Sequence, residues 1–414
     1  MKFIADLHIH SKYSRATSPL MDLENLDKWA RIKGIKVLGT GDFTHPEWFK
    51  GIKRELEPAE TGLFKLKKSS SKTRFLLTAE ISCIYSKGGK VRKIHIIIFA
   101  PDFETVEKIN IQLGLIGNLK ADGRPILGLD VKELAKIVLN INSECLIVPA
   151  HLYTPWFSLF GSKSGFDSIE ECFEEYTKYI YAGETGLSSS PEMSWRNSGL
   201  DKITLISNSD AHSLPKLGRE ANVFDTELSY LGITGAIKTK NPLKFLYTIE
   251  FYPEQGKYHN DGHKSCDINL SPQESKKYNN ICPNCGKPLT IGVLNRVEEL
   301  ADRPDDFKPE NAIPFKSLIP LTEIIADVLA VGSETKQVVK EYENLIEKFQ
   351  NEFNILLEVS RSEIETASSL EIAEAIIRVR EGRVNIIPGY DGVFGKISIF
   401  SKEEFKKTSQ KVLF

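Results

Sequence analysis

The amino-acid sequence predicts an α/β protein that is followed by a small irregular module and a mainly helical region. Up to about residue 235, short apolar runs typical of β-strands alternate with amphipathic stretches typical of helices. Residues 252–290 lose that rhythm and are rich in Gly, His, Asn, Ser, Pro and Cys. The length of 414 residues and the hydrophobic content of 41% suit two or three globular domains, which we place at 1–240, 241–300 and 301–414.

The predicted elements follow one another regularly along the chain. Strands are predicted at 3–9, 37–40, 74–84, 94–99, 145–149, 179–182 and 203–207. Helices are predicted at 22–33, 104–115, 130–141, 168–178 and 230–238, and later at 293–301, 320–330, 333–352 and 369–381. Strands that alternate with helices are typical of a parallel sheet, which is either open or closed into a barrel.

The composition excludes several classes of protein. The formal net charge is −2, so any surface that binds nucleic acid must be a local patch and not the whole molecule. The sequence contains no run of 18 apolar residues, and its beginning lacks the basic-then-apolar order of a signal peptide. We therefore expect a soluble, cytoplasmic protein with no membrane partner. No pattern indicates an oligomer, and we expect a monomer.

The eight histidines fall into polar clusters, most of which lie at the ends of predicted strands. His8 and His10 alternate after the first strand, which places both imidazoles on one side of it. The other polar groups near strand ends are Asp42, His45, Glu80, His95, His151, Asp210 and His212. A single histidine is usually a half-buried core residue, but that explanation would have to hold independently at several strand ends. Barrel enzymes place their catalytic groups at this position.

These side chains predict a multinuclear metal site. So many imidazoles and carboxylates exceed what one tetrahedral zinc ion uses, and they suit two or three Zn²⁺ or Mn²⁺ ions, with Mg²⁺ as a further candidate. Closely spaced ions of this kind polarise a phosphoryl oxygen and make hydroxide from water at neutral pH. Glu80 is central in the series, and we predict that it bridges the ions.

A second candidate site lies in the irregular module. The predicted ligands of a structural zinc ion are His263, Cys266, Cys282 and Cys285, and His259 is an alternative ligand. A Cys-x-x-Cys knuckle paired with His-x-x-Cys is a strong zinc-ribbon signal. Zinc in such a module supplies folding free energy and not catalysis.

At the histidine motifs the sequence resembles the polymerase-and-histidinol-phosphatase (PHP) family of phosphoesterases. The resemblance implies a distorted seven-stranded β/α, TIM-like barrel with three metal ions. The ligand sets that it implies are His8, His10, Glu80 and Asp210; Glu80, His95 and His151; and His212 with Asp42. Asp42 stands where many members have histidine, and Arg15 stands near a position where some members carry a further histidine. Arg15 is therefore a candidate to hold a phosphate.

Over nearly the whole chain, DLHIHSKYSRATS, GTGDFTHPEW, YAGETGLSS, SNSDAHS, the zinc module and PGYDGVFGKI resemble the endonuclease Q family of archaea and bacteria. The resemblance implies incision of DNA 5′ of uracil, hypoxanthine, xanthine or an abasic site, with the lesion extruded into a pocket. It also implies a nucleoid-associated location, with lesion-containing DNA and a sliding clamp as candidate partners. The family pattern has Asp-Pro after ETGLSS, whereas this chain has Ser190-Pro191, which suggests an impaired variant because serine cannot replace a carboxylate base.

Further residues are candidates for the metal site and for contacts with DNA. Glu184 lies in the same loop as Ser190 and could face a metal or hold one of its ligands. The residues that we predict to contact DNA are Arg378, Arg380, Arg383, Tyr390, Trp156 and Trp195. Alternative functions are a PHP-type phosphatase that acts on a small phosphate monoester, a lesion-binding protein that does not cut DNA, and an amidohydrolase-type deaminase.

Overall fold

The computed structural model describes residues 1–67, 69–401 and 404, which form two compact units. Unit 1 contains Met1–Arg31, Ile35–Glu250 and Val293–Phe315. Unit 2 contains Ile32–Gly34, Phe251–Gly292 and the described residues from Lys316 onward. The structure thus groups the irregular module with the helical region, whereas the sequence prediction treats them as separate domains. Residues 402–403 and 405–414 of the predicted C-terminal domain lie outside the described residues.

The strands are numbered in chain order. They are β1 (Lys2–Asp6), β2 (Val37–Gly39), β3 (Leu56–Pro58), β4 (Phe64–Leu66), β5 (Arg74–Lys87), β6 (Lys90–Ala100), β7 (Ile126–Leu127), β8 (Leu146–Pro149) and β9 (Ala182–Glu184). They continue with β10 (Thr204–Ile206), β11 (Ala221–Asp225), β12 (Phe245–Glu250), β13 (Asp261–His263), β14 (Ile268–Leu270), β15 (Phe315–Ser317), β16 (Asn385–Ile387) and β17 (Lys396–Ser398).

Each predicted helix overlaps an observed one. They are α1 (Leu23–Lys33), α2 (Pro46–Glu55), α3 (Phe103–Gly114), α4 (Val131–Ile141), α5 (Ile169–Phe173), α6 (Pro191–Trp195), α7 (Tyr230–Thr239) and α8 (Pro272–Lys277). They continue with α9 (Val293–Leu300), α10 (Leu321–Leu329), α11 (Lys336–Phe349), α12 (Glu352–Leu357), α13 (Arg361–Ala367) and α14 (Leu370–Arg380). The helices α2, α6, α8, α12 and α13 were not predicted, and the predicted helix at 168–178 is an α-helix only over Ile169–Phe173. Polar caps explain several of the starts, since Asp102, Asp130 and Ser229 each accept a hydrogen bond from a backbone N–H in the first turn.

A mixed sheet forms the centre of unit 1. Its strands lie in the order β12-β11-β1-β2-β5-β4-β3, with β6 beside β5 and β8 beside β6. β1, β2 and β5 are parallel to one another, whereas β11 and β12 are antiparallel to their neighbours. β9 and β10 form a separate parallel pair. The predicted α/β class is confirmed, and closure into a seven-stranded barrel stays a prediction.

The long pair β5 and β6 corrects the prediction of a purely parallel sheet. These strands form an antiparallel hairpin from Leu77 opposite Ala100 to Lys87 opposite Lys90. Gly88 and Gly89 join them with φ values of 61° and 72°. A two-residue turn with positive φ at both positions matches the twist of a hairpin and favours glycine. The Gly-Gly pair was therefore the sequence signal for the antiparallel arrangement.

Helices make up most of unit 2. α10 packs against α11 and α14, and α13 packs against α14. The buried Glu352 ties this bundle together, because its carboxylate accepts hydrogen bonds from the Leu321 N–H at 3.0 Å and the Tyr342 hydroxyl at 2.8 Å, and pairs with Lys33 at 2.6 Å. Within the described part of the chain, we find no helix whose length and apolar character would let it cross a membrane.

Candidate metal centres

The predicted ligands of the catalytic cluster follow, or lie within, six strands of unit 1. His8 and His10 follow β1, Asp42 follows β2, Glu80 lies in β5, His95 lies in β6, His151 follows β8 and Asp210 follows β10. The ends of β1 and β2 and the middle of β5 are neighbours in the sheet, so residues far apart in sequence meet there. The structure therefore brings together what the sequence places on separate elements.

The first ligand group consists of His8, His10, Glu80 and Asp210. One ligand atom from each lies within 4.8 Å of the others. The His10 Nε2 atom is 3.2 Å from Glu80 Oε2 and 3.1 Å from Asp210 Oδ1, and His8 Nε2 is 3.5 Å from Glu80 Oε2. Both Nε2 atoms and Asp210 Oδ1 are buried and make no hydrogen bond to any residue that the structure describes. Converging lone pairs without hydrogen bonds fit a cation.

The second ligand group consists of Glu80, His95 and His151. Glu80 Oε1 is 2.7 Å from His95 Nδ1 and 3.1 Å from His151 Nε2. The two imidazole nitrogens are 3.3 Å apart. Each oxygen of Glu80 therefore faces a different ligand group, which is the arrangement predicted for a bridging carboxylate.

Two further carboxylates contact the Nδ1 atoms of His8 and His10, on the far side of each ring from Glu80. Both oxygens of Glu184 lie 3.0 Å from His8 Nδ1, and Asp42 Oδ1 lies 3.0 Å from His10 Nδ1. A carboxylate on the far ring nitrogen fixes the tautomer and the orientation of a metal-binding imidazole. Both pairs leave the Nε2 atoms directed at the shared Glu80.

Asp42, the predicted ligand of a third ion, has partners within the protein at both carboxylate oxygens. Its Oδ2 accepts hydrogen bonds from the Ser11 N–H at 2.6 Å, the Ser11 hydroxyl at 2.7 Å and the Ser14 hydroxyl at 2.9 Å. Both oxygens are thus engaged within the protein. His212 lies beside His10 with ring centres 4.4 Å apart, and its Nδ1 is 2.9 Å from the Asp210 carbonyl. The third ion stays a prediction.

We expect Asp42→Asn to weaken binding of the ion at the first group by about 10- to 100-fold, because the neutral amide no longer strengthens His10 as a ligand. Calorimetric titration of the metal-free protein with Mn²⁺ measures this change. Asp305→Asn is the control, since the Asp305 side chain is 71% exposed and pairs with Arg196. An unchanged affinity in Asp42→Asn would show that Asp42 does not support the ligand.

The cluster has an electrostatic field that suits cations. Burial lowers the pKa of His8, but the carboxylates of Glu184 and Glu80 outweigh it and raise the pKa well above its usual value. Burial also opposes ionisation of Glu80, yet the charges of His95, Arg124 and His8 hold its pKa well below the ordinary range. The carboxylates are therefore ionised at neutral pH, as metal ligands must be.

Three residues of the site have left-handed backbone conformations. The φ angles of Asp42, His151 and Asp210 are 49°, 31° and 46°. Such angles are uncommon for residues other than glycine and cost about 1–3 kcal/mol each. The surrounding hydrogen bonds hold them there, since Asp42 is bonded through both oxygens and the His151 N–H donates to Glu184 Oε2 at 3.0 Å.

Sequence reasoning missed a layer of buried polar residues beneath the cluster. Asp6 accepts hydrogen bonds from the Ser209 N–H at 3.0 Å and the Gly218 N–H at 2.9 Å, and so fixes the loop that carries Asp210. Asn208 donates to Glu184 Oε1 at 2.9 Å and accepts from the Leu7 N–H at 2.8 Å. Asp6 lies in the motif DLHIHSKYSRATS and Asn208 in SNSDAHS, so proximity to the ligands was the available signal.

Glu250 is a buried carboxyl behind this layer. Burial raises its pKa to about 8, although hydrogen bonds from Thr248, Thr185 and Ser207 oppose the shift. Its ordinary pKa is 4.5, so the stability that the neutral carboxyl contributes is fully present below pH 4.5 and is lost as the pH rises towards 8.

We expect Glu250→Gln to remove this pH dependence, because the amide stays neutral. The stability of the variant relative to the parent should rise by on the order of 1.4 kcal/mol for each pH unit between about 5 and 8. Thermal unfolding of both proteins across that range measures the difference, with Glu310→Gln at an exposed position as the control. A constant difference would mean that Glu250 is ionised throughout.

The structure also brings together the four predicted zinc ligands of unit 2. His263, Cys266, Cys282 and Cys285 offer ligand atoms that all lie within 4.8 Å of one another, and His263 Nδ1 is 3.6 Å from Cys285 Sγ. The β13–β14 hairpin carries the first two, and a tight turn, in which the Gly286 N–H donates to the Cys282 carbonyl at 2.9 Å, carries the others. Thiols without disulfides and an imidazole fit zinc. His259 is buried outside this group.

Several predicted DNA-binding residues have partners inside the protein. Arg380 donates to the carbonyls of Leu356, Ile355 and Val359, which gives it a structural role. Tyr390 is 8% exposed and donates to Asp267 at 2.6 Å, and its role is likewise structural.

The remaining candidates differ in exposure. Trp195 is 8% exposed and packs edge-to-face on Phe315, so the structure places it in the core and not at a DNA surface. Arg378 pairs with Glu374 and Glu404. Arg383 has a side chain that is 49% exposed, and Trp156 is 51% exposed. DNA contacts of Arg378, Arg383 and Trp156 stay predictions.

Ser190 and Arg15, two further candidates, have local partners in unit 1. The Ser190 hydroxyl accepts a hydrogen bond from the Met193 N–H at 3.3 Å and caps α6. Arg15 has a side chain that is 78% exposed, and its Nε lies 3.1 Å from Asp122 Oδ2. A candidate phosphate contact of Arg15 is thus sterically accessible.

The fold and the site define an α/β protein with a candidate multinuclear metal centre at its strand ends. Over residues 320–383 the chain matches the family model of the MJ0043 C-terminal domain. It is 36% identical over 256 residues to the protein MJ0043 of Methanocaldococcus jannaschii, which covers 59% of this chain but only 31% of that protein. The chain thus spans about a third of the length of that relative.

Solved structures match the whole chain. The lesion-specific endonuclease PfuEndoQ of Pyrococcus furiosus superposes with a TM-score of 0.86 at 30% identity, over 98% of this chain and 99% of that one. An endonuclease Q complex with a 27-mer duplex substrate, which carries an abasic lesion at the active site, gives a TM-score of 0.85 at 31% identity over 98% of both chains. The chain belongs to the endonuclease Q family.

Proposed function

We propose that this chain is a lesion-specific DNA endonuclease that cuts the phosphodiester 5′ of a deaminated base, such as uracil, hypoxanthine or xanthine, or of an abasic site. The observation that carries the proposal is the match over 98% of the chain to an endonuclease Q that holds duplex DNA with an abasic lesion. Because the match extends through both units, it favours a nuclease over a phosphatase that would need the metal cluster alone.

The roles of the clustered residues follow from their positions. His8, His10, Glu80 and Asp210 would hold one ion, and Glu80, His95 and His151 would hold a second. Bound there, Zn²⁺, Mn²⁺ or Mg²⁺ ions would polarise a phosphoryl oxygen and supply hydroxide at neutral pH. Asp42 and Glu184 keep the imidazoles directed inward, and the shared Glu80 sets the separation of the two ligand groups.

The proposed function also requires that the damaged base be extruded from the DNA stack. A damaged base can be read only after it leaves the stack, and extrusion costs least where pairing is already weakened. Trp156 is a candidate to stack on a nucleotide, because it is 51% exposed and the Lys93 ammonium lies 5.8 Å from its ring centre. Recruitment by a sliding clamp stays a prediction.

Ser190 is the residue to test if the chain binds lesions without cutting them. An aspartate at this position would cap α6 as serine does, so Ser190→Asp adds a carboxylate without disturbing the helix. A carboxylate near the ions could position the attacking water, which a serine hydroxyl cannot do as a base.

The test uses a labelled duplex that carries one uracil, hypoxanthine or abasic site, incubated with Mn²⁺ or Mg²⁺. We expect cleavage 5′ of each lesion and none in the undamaged duplex. Lesion binding without cleavage, converted to cleavage by Ser190→Asp, would identify an impaired nuclease. Uncut lesion DNA together with rapid hydrolysis of p-nitrophenyl phosphate would reject the proposal in favour of a phosphatase.

A further inference from the structure

Arg124 lies at the metal cluster although its sequence context gives no sign of it. Its Nη1 donates to Glu80 Oε2 at 2.9 Å, the oxygen that faces His8 and His10. The side chain of Glu80 is fully buried, whereas that of Arg124 is 28% exposed. The guanidinium therefore extends from the shared carboxylate towards solvent.

Most of the donors of Arg124 are unused. A guanidinium carries five N–H groups in a planar fork. Within the described residues only Nη1 makes a hydrogen bond, and Nε and Nη2 donate to no protein atom. Arg380, in contrast, spends its donors on backbone carbonyls, so the free N–H groups of Arg124 are the ones available to a ligand.

Hydrogen bonds at Asp122, Gly123 and Arg124 fix the segment that carries Arg124. Asp122 Oδ1 accepts hydrogen bonds from the Arg124 N–H at 3.1 Å and the Arg15 N–H at 3.3 Å. The Gly123 N–H donates to the Tyr13 carbonyl at 3.0 Å, and any side chain at Gly123 would run into the Asp42 carboxylate. The loop is thus packed directly against the support of His10.

Asp122 also aligns a second arginine. Its Oδ2 lies 3.1 Å from Arg15 Nε, so one carboxylate positions the side chain of Arg15 and the backbone of Arg124. Both guanidinium groups are accessible to solvent, since the side chain of Arg15 is 78% exposed and that of Arg124 is 28% exposed. Guanidinium forks match the oxygens of phosphate groups.

The positive charge of Arg124 has opposite effects on cations and anions at the cluster. This charge is paired with Glu80, which weakens the field of that carboxylate on a cation. The same charge stabilises an anion that approaches the cluster. A phosphodiester is such an anion, and negative charge builds up on its oxygens as a nucleophile attacks.

The geometry points to Arg124 as a catalytic residue that binds a non-bridging oxygen of the scissile phosphodiester, with Asp122 as its positioning residue and Arg15 on the neighbouring phosphate. This inference rests on the proposed nuclease function. The inference predicts one anion-binding site next to the ligand groups. Inorganic phosphate should also bind there.

The test compares Arg124→Ala, Arg124→Lys and the control Arg54→Ala in the full-length protein loaded with Mn²⁺. Arg54 belongs to α2 and has a side chain that is 70% exposed. For Arg124→Ala we expect single-turnover cleavage of abasic-site DNA to fall by about 10²- to 10³-fold. Inorganic phosphate should bind at least tenfold more weakly by calorimetry, while the bound Mn²⁺ and the unfolding midpoint stay as in the parent. Arg124→Lys should recover part of the cleavage, because it keeps the charge but not the fork.

Two outcomes would overturn the inference. Unchanged cleavage and unchanged phosphate binding in Arg124→Ala would show that the guanidinium does not touch the substrate. Cleavage that is lost together with Mn²⁺ and returns at saturating Mn²⁺ would show that Arg124 only shapes Glu80. The proposed function fails separately if the parent cuts no lesion DNA with or without Ser190→Asp, and a loss of phosphate binding in Arg124→Ala would still establish the anion site.

Discussion

Glu80→Gln should remove both catalytic ions and lower lesion-dependent DNA cleavage by about 10³-fold or more. Glu80 is the one residue that belongs to both catalytic ligand groups found among the described residues. A neutral amide offers a single carbonyl oxygen and no charge, so it cannot bridge two cations. The change also leaves Arg124 and four histidines without their shared anion.

Metal analysis after dialysis distinguishes this explanation from misfolding. The parent should retain ions at the cluster and Glu80→Gln should not, whereas zinc at the Cys₃His group should stay bound in both. Glu192→Gln is the matched control, because Glu192 is an exposed glutamate in α6 of the same unit. A Glu80→Gln protein that keeps both ions would show that the glutamate does not bridge.

Cys282→Ala should release the structural zinc and unfold the irregular module of unit 2. Cys282 is 1% exposed, and the turn that carries it is closed by its N–H, which donates to the Lys287 carbonyl at 2.7 Å. The surrounding strands are only three residues long, so they offer little packing of their own. Structural zinc contributes about 10–16 kcal/mol in comparable modules, which exceeds the stability of most domains.

Limited proteolysis and zinc analysis measure this effect. New cleavage sites should appear within 251–292, while unit 1 stays resistant. Cys145→Ala is the control, since Cys145 is a buried thiol of unit 1 outside the ligand groups. Full zinc content and an unchanged digestion pattern in Cys282→Ala would contradict a structural metal.

The sequence was most informative where chemistry repeats at strand ends. The alternation of His8 and His10 and the polar groups at or near apolar runs, such as Glu80, His151 and Asp210, predicted residues that the structure does bring close together. Cysteine spacing predicted the clustering of His263, Cys266, Cys282 and Cys285, since a knuckle is a local structure.

Contacts between residues far apart in the sequence could not be predicted. The sequence did not predict that both oxygens of Asp42 contact His10, Ser11 and Ser14, which lie 28–32 residues earlier in the chain. Arg124 lies in a loop 44 residues after Glu80, and no periodicity links them. The DNA-contact predictions were weakest, because a basic or aromatic residue serves equally well as a cap or as core, as Arg380 and Trp195 do.

The left-handed conformations of Asp42, His151 and Asp210 have a consequence for how ions enter the site. We expect the chain to adopt these angles as it folds, so that the ligand atoms stand close together with or without an ion. Uptake would then depend on the dehydration of the ion and its route inward more than on rearrangement of the backbone. A frame that does not adjust also discriminates by ionic radius, since Mg²⁺ demands shorter and more regular bonds than Ca²⁺. We therefore expect larger divalent ions to compete poorly for the cluster.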